Sequence, residues 1–201
     1  MAKKVLLSGI LGGIVLFFFG FVWHDLLPFG LIGIKDIPHE DAVITAMKTN
    51  VPEAGMYMIP GLNIPANATS AQRKEAQAAA MKKATTGPAG FLIYQPIGKD
   101  MDMGMLMTEC GTNILQALLV AFLLAQTGLQ RFGSRLGFAF VIGVLAAITT
   151  NISYWNWYGF PGAYTLNAIT FLVLGYFLVG LIAAFFVKVG APQPLAKAAA
   201  A

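Results

Sequence analysis

Apolar residues gather in four long runs, at about 5–23, 108–129, 136–155 and 164–187, separated by stretches of mixed polarity. Each run approaches the ~20 residues that an α-helix needs to cross a bilayer's hydrocarbon core. None contains lysine or arginine, and Glu109, at the edge of the second run, is their one acid. A backbone in lipid must pair every N–H and C=O internally, so the runs predict helices rather than open strands. The expected fold class is a mainly α membrane protein: four transmembrane helices with a small α+β extracytoplasmic insertion between helices 1 and 2.

The pattern changes between the first two runs. Residues 24–35 are apolar but broken by Pro28, Gly30 and Gly33, which predicts a segment skimming the membrane surface. Asp36, Pro38, Glu40 and Asp41 read as a helix start, with a capping residue, an early proline and acids in the first turn. That helix is expected to reach about Lys48 and to stop at Asn50-Val51-Pro52. A strand is predicted over 55–60. Thr69 with Gln72 forms a capping-box pattern ahead of an alanine-rich helix that ends before Gly87-Pro88. A second strand over 90–96 would pair with the first, and the alternating residues of 101–107 would extend the sheet. The expected layout is an anchor at 1–23, a cap at 24–107, a three-helix region at 108–190 and a disordered cytoplasmic tail at 191–201.

Composition narrows the class. The chain is 57% hydrophobic and 11% charged, against about 25% charged in a typical soluble domain. A small soluble fold leaves too much surface exposed to hide that much apolar area. The charges are also sorted. All nine acids, but seven of the thirteen basic residues, lie between Asp25 and Glu109. The other six basics, Lys3, Lys4, Arg131, Arg135, Lys188 and Lys197, fall at the N-terminus, in the short connection after the second run, and after the fourth. Positive residues in short flanks favour the cytoplasm. All six agree on an orientation with both termini inside and residues 24–107 outside. The net charge of +4 is thus a topology signal. No basic stripe exists to follow phosphates, so no nucleic-acid partner is expected. The Met1-Ala-Lys-Lys start could open a signal peptide, but the apolar run is long and lacks a small-residue cleavage site, so an uncleaved anchor is expected.

Candidate chemistry is sparse. No Asp, Glu, Lys, Arg or His side chain lies deep in a run, where proton relays and pumps need one. Asn113, Gln116, Gln126, Thr149, Thr150, Asn151 and Asn167 are the polar residues available to a neutral pore, and bonding between helices accounts for them more simply. Met101, Met103, Met105 and Met107, followed by Cys110, form the one cluster of soft ligands. On a strand the four thioethers would share a face at about 7 Å intervals, a set suited to Cu(I). Methionine is equally ordinary apolar filler. Trp23, Tyr154, Trp155, Trp157 and Tyr158 are placed as interfacial aromatics. Gly9, Gly13 and Gly20 share a helical face and are expected to admit a close helix partner, from this chain or another. His24-Asp25 and His39-Glu40-Asp41 lack a third zinc-type ligand at usual spacing. No nucleophile elbow, phosphate loop or dinucleotide fingerprint occurs, so an enzyme is not expected. The single cysteine excludes an internal disulfide.

Several segments carry a family resemblance: the Ala-Lys-Lys-Val-Leu-Leu-Ser-Gly-Ile-Leu-Gly-Gly start, Trp23, Pro52-Glu-Ala-Gly-Met-Tyr-Met-Ile-Pro60, Gly87-Pro-Ala-Gly-Phe-Leu-Ile-Tyr94 and Tyr154-Trp-Asn-Trp-Tyr-Gly159. Together, over roughly 1–190, the chain resembles a family of small uncharacterised bacterial four-span inner-membrane proteins. The resemblance implies a bacterial origin and this topology, and carries no catalytic residue. The expected role is a non-catalytic accessory or structural subunit of a larger inner-membrane complex, with the bilayer and other membrane subunits as partners. The alternatives are an extracytoplasmic Cu(I)-handling protein and a small-solute channel; cofactors are left open.

Overall fold

A computed structural model of the chain describes residues 1–188; the expected tail at 191–201 lies outside them. Each apolar run forms a helix: α1 (Ala2–Phe21), α4 (Met103–Ala125), α5 (Phe132–Tyr158) and α6 (Gly162–Phe186). All four are long and apolar enough to cross a membrane. Only 22–28% of the most apolar stretch of each is buried within the chain. Their remaining surface is apolar and uncovered by protein, which suits lipid as the solvent.

Between α1 and α4 lie α2 (Glu40–Asn50), β1 (Gly55–Ile59), α3 (Ser70–Thr86) and β2 (Gly90–Tyr94). The small helix-and-strand insertion between the first two spans is therefore present. Contacts divide the chain into two compact units, Met1–Ile34 with the residues from Met101 onward, and Lys35–Asp100.

In the first unit, small residues set the packing. Side chains added at Gly9 and Gly13 of α1 would collide with Leu118 and with the backbone of Ile114 on α4. The partner for this glycine face is thus a helix of the same chain. The pairing runs antiparallel, since rising numbers on α1 meet falling numbers on α4. Gly175 of α6 meets Leu16 of α1, and Gly180 meets Ala139 of α5, so α6 runs antiparallel to both. Helix α1 thus packs between α4 and α6, and α6 between α1 and α5, while α4 and α5 touch only slightly despite their short connection. The core at these seams is Leu16, Ala117, Val120, Ala121, Leu124, Ala139, Val179 and Ala183. Alanines and glycines let the backbones approach, which is how helices gain contact where lipid supplies no hydrophobic drive.

In the second unit, β1 and β2 pair antiparallel, with Met56 opposite Ile93 and Tyr57 opposite Leu92. Thr69 and Gln72 form the reciprocal capping box at the start of α3.

Two expectations are corrected. Helix α2 begins at Glu40 with His39 as its N-cap, not at Asp36. Proline disfavours helical geometry in the residue before it, so Pro38 keeps Ile37 out of the helix. The segment 101–107 does not extend the sheet: α4 starts at Met103, where the Asp102 side chain accepts a hydrogen bond from the Met105 N–H at 2.8 Å. Alternation in 101–107 read as a strand, but an N-terminal cap followed by a long apolar run propagates as helix.

Candidate functional site

The most elaborated part of the first unit is the junction where α1 ends and α6 begins. Helix α1 continues into a π-helical turn, Val22–Leu26, closed by the Leu27 N–H bonding the Val22 carbonyl at 2.9 Å. Leu27 is extended, as expected of a residue before proline. The chain then folds back onto the first turns of α6. Gly33, at φ 83°, lies against the backbone of Tyr164, and a Cβ there would clash. Asn167 fixes the contact by donating from Nδ2 to the Phe29 carbonyl at 3.0 Å.

Trp23 is the hub of the aromatic packing. Its ring lies 4.7 Å from Phe29, 5.5 Å from Phe19 and 5.9 Å from Phe171. Phe19 and Phe171 stack at 5.3 Å, and His24 meets Phe171 edge-on at 4.9 Å. Trp23 is 8% exposed, whereas Trp157 is 77% exposed and Tyr154, Trp155 and Tyr158 are exposed near the end of α5. Trp23 is therefore a packed residue, while the aromatics of α5 present their rings outward.

Two grooves flank the start of α6. One, of about 280 Å³, lies between α6 and the folded-back segment and is lined by Trp23, Phe29, Ile32, Ala163, Asn167 and Thr170, together with Leu166. The other, of about 300 Å³, lies between α5 and α6 and is lined by Ile152, Trp155, Gly162, Thr165 and Ile169, again with Leu166. Trp23 Nε1 and Thr165 Oγ1 are the two buried side-chain polar atoms without a hydrogen-bond partner among the described residues. Each belongs to a residue lining one of the grooves.

The other sequence candidates fall elsewhere. Met103, Met105, Met107 and Cys110 lie on α4 and Met101 before it. At helical spacing Met103, Met107 and Cys110 share one side and Met105 points away from it, so the four-thioether face is not formed. Among the described residues no group of three or more His, Cys, Asp or Glu side chains could hold a metal ion. Gly20 meets Phe171 at ordinary contact distance. The span polar residues are mostly taken up locally. Asn113 bonds Glu109, Thr149 bonds the Leu145 carbonyl, Asn151 bonds the Ala147 carbonyl and Gln126 the Phe122 carbonyl. Gln116 reaches across helices, accepting from the Tyr176 hydroxyl at 3.1 Å.

Sequence reasoning missed Arg135 as a structural residue. Counted there as a topological charge, it is 5% exposed. Its Nε donates to the Ala184 carbonyl at 3.0 Å and its Nη1 to the Gln130 carbonyl. It thus clasps the C-terminal end of α6 and the turn between α4 and α5, where free carbonyls favour a cation. Its place in a short basic flank gave no signal of this. The Ala163, Asn167, Thr170 spacing could have marked a helix face, but nothing local named Phe29 as its partner. Comparisons with protein-family models, with curated proteins and with solved structures each return no match.

Proposed function

We propose that this chain is a non-catalytic accessory subunit of a larger membrane complex, of the bacterial inner-membrane kind suggested by its sequence resemblance. In this reading both termini are cytoplasmic and the insertion extracytoplasmic, as the sorting of basic residues favours. The observation that carries the proposal is the insertion's shortage of core. Across Lys35–Asp100, Ala80 and Tyr94 alone are buried. In the antiparallel register, Met56, Met58 and Ile93 share one face of the sheet, and they are 61%, 47% and 73% exposed. A two-stranded sheet is marginal on its own, and an uncovered apolar face on it suits a protein partner. The glycine face of α1 gives no support, because α4 fills it.

A photo-reactive residue at position 58 or 93, incorporated in intact cells, tests the reading. Both positions should crosslink to the same membrane protein, and one at Gln77 on α3 should not. A chain that forms no protein crosslink from either position, and purifies as a bare monomer from mild detergent, would remove the basis for the proposal.

A further inference from the structure

We propose that the end of the bundle where α5 starts and α6 stops binds one anionic phospholipid, its headgroup phosphate held between Arg131 and Lys188 beside the buried Arg135. Arg131, Arg135, Ala139 and Gly143 are four apart and follow one stripe of α5. That stripe faces α6. Gly143 lies against Tyr176, Ala139 against Gly180, and Arg135 Nε bonds the Ala184 carbonyl at 3.0 Å. The two helices are antiparallel, so Arg131 lies one turn outward of that bond on α5 and Lys188 one turn outward of it on α6. A seam of small residues holds helix axes at the close end of the usual range, about 8 Å. Arg131 and Lys188 are both exposed, and their long side chains can converge on one group.

Charge selects an anion. The acceptors of Arg135 Nε and Nη1 are carbonyls, which are dipoles and leave its unit charge uncompensated. No Asp or Glu follows Glu109 in the chain, and Glu109 stands near the opposite end of α4. The other acids belong to the segment that leaves and rejoins the bundle at that opposite end. Three neighbouring cations repel one another, and an anion among them turns the repulsion into attraction. The start of α5 adds to the field. Its first turn has no acid and no side-chain cap, and a Cβ at Gly133 would meet nothing within 4 Å, so the N–H groups of that turn face an anion unobstructed.

Position selects a lipid as the source of that anion. Lys188 Nζ lies 5.9 Å from the centre of the Phe185 ring, and Phe185 is 62% exposed on a span whose apolar surface is largely uncovered by protein. The ammonium therefore stands at the rim of a lipid-facing surface, where long basic side chains reach up to the headgroups. A phospholipid carries its phosphate at that level. Guanidinium and ammonium groups make charge-assisted bonds to phosphate oxygens. A net negative headgroup is preferred to a zwitterionic one, which would bring a further ammonium into the cluster.

Lys3 provides the comparison. It lies at the same end of the bundle, because α1 runs antiparallel to α6, and it is exposed. Gly12 of α1 meets Val179 of α6. Lys3 is nine positions from Gly12, which at 3.6 residues per turn places it on the opposite side of α1, away from α6. Removing its charge alters the positive field of this end without touching the clamp.

The test is native mass spectrometry of the delipidated full chain in a neutral detergent with equal amounts of phosphatidylglycerol and phosphatidylethanolamine. The first lipid bound should be phosphatidylglycerol, by about tenfold. Arg131→Gln and Lys188→Gln should each weaken its binding about fivefold, whereas Lys3→Gln should leave it within about twofold. Lys188→Glu sets a carboxylate among the cations and should abolish binding. If Arg131→Gln fails to fold, Arg131→Lys keeps the charge and should keep the lipid. Equal losses in Arg131→Gln, Lys188→Gln and Lys3→Gln would overturn the proposal, since they signify a diffuse positive end rather than a site. Displacement of the lipid by excess inorganic phosphate would assign the site to a soluble anion instead. Equal occupancy by the two lipids would also overturn it and leave the cations to an acidic partner chain.

Discussion

The two units of this chain solve opposite problems. The helical unit has more apolar surface than it can bury, and joins its parts across long separations. Arg135 bonds a carbonyl 49 residues away, Tyr176 a side chain 60 away and Asn167 a carbonyl 138 away. The insertion has almost nothing buried, and beyond the ladder that joins β1 to β2 its side-chain hydrogen bonds are local. The Tyr57 hydroxyl reaches the Glu53 carbonyl, Arg73 reaches the carbonyls of Ala68 and Ala66, and Thr69 and Gln72 cap each other. Lipid already solvates the spans, so what distinguishes the bundled from the dispersed state is backbone approach and interhelical bonding. The insertion buries little apolar surface of its own, so its elements depend on caps, turns and the β1–β2 ladder.

If this contrast is right, the largest effect comes from closing a seam. Gly13→Leu drives a side chain into the Ile114 backbone and should cost about 3 kcal/mol, at the upper end for overpacking. Gly111→Leu on α4, where a Cβ meets nothing, should stay within about 0.5 kcal/mol. Reversible unfolding in mixed micelles compares them, and equal costs would show that the α1–α4 seam is not close-packed. Next comes Arg135→Lys. It keeps the topological charge but loses the fork that serves two carbonyls, and should destabilise the helical unit by about 2 kcal/mol with both termini still on their original side in a labelling assay. A flipped orientation with intact stability would assign Arg135 to topology alone.

Smaller effects belong to the insertion. Thr69→Ala removes the capping box and should cost about 1 kcal/mol. Hydrogen exchange should show faster exchange across α3 and none of that change in the spans. Smallest is Ile93→Lys on the open sheet face, which should alter the isolated chain's stability by less than about 0.5 kcal/mol. In cells the same change should abolish the crosslink from position 58, which separates a docking face from a folding core.

Much of the fold was legible because it is written locally. An apolar run of about twenty residues, Thr69 three positions before Gln72, and Pro52 after α2 each act within a turn or two of chain. The strand pairing followed from two short apolar segments bounded by glycine and proline. The misreadings were also local conflicts. In 101–107 the alternation competed with the cap at Asp102, and at 36–40 proline restricted its predecessor more than aspartate favoured a cap. The candidate site was not legible. The sequence placed Trp23 at the end of a span and Arg135 in a flank, but no local pattern announced that Phe29 and Phe171 pack around the one or that the end of α6 bonds the other.

The sequence by itself determined the spans, their number and the elements between them, because helix formation in lipid and capping in water are settled by neighbours along the chain. Tertiary structure decided which helices touch, that Gly9 and Gly13 of α1 face α4, and that two grooves share Leu166. Those outcomes depend on backbone separations between residues tens of positions apart, and no local pattern encodes a distance between helices.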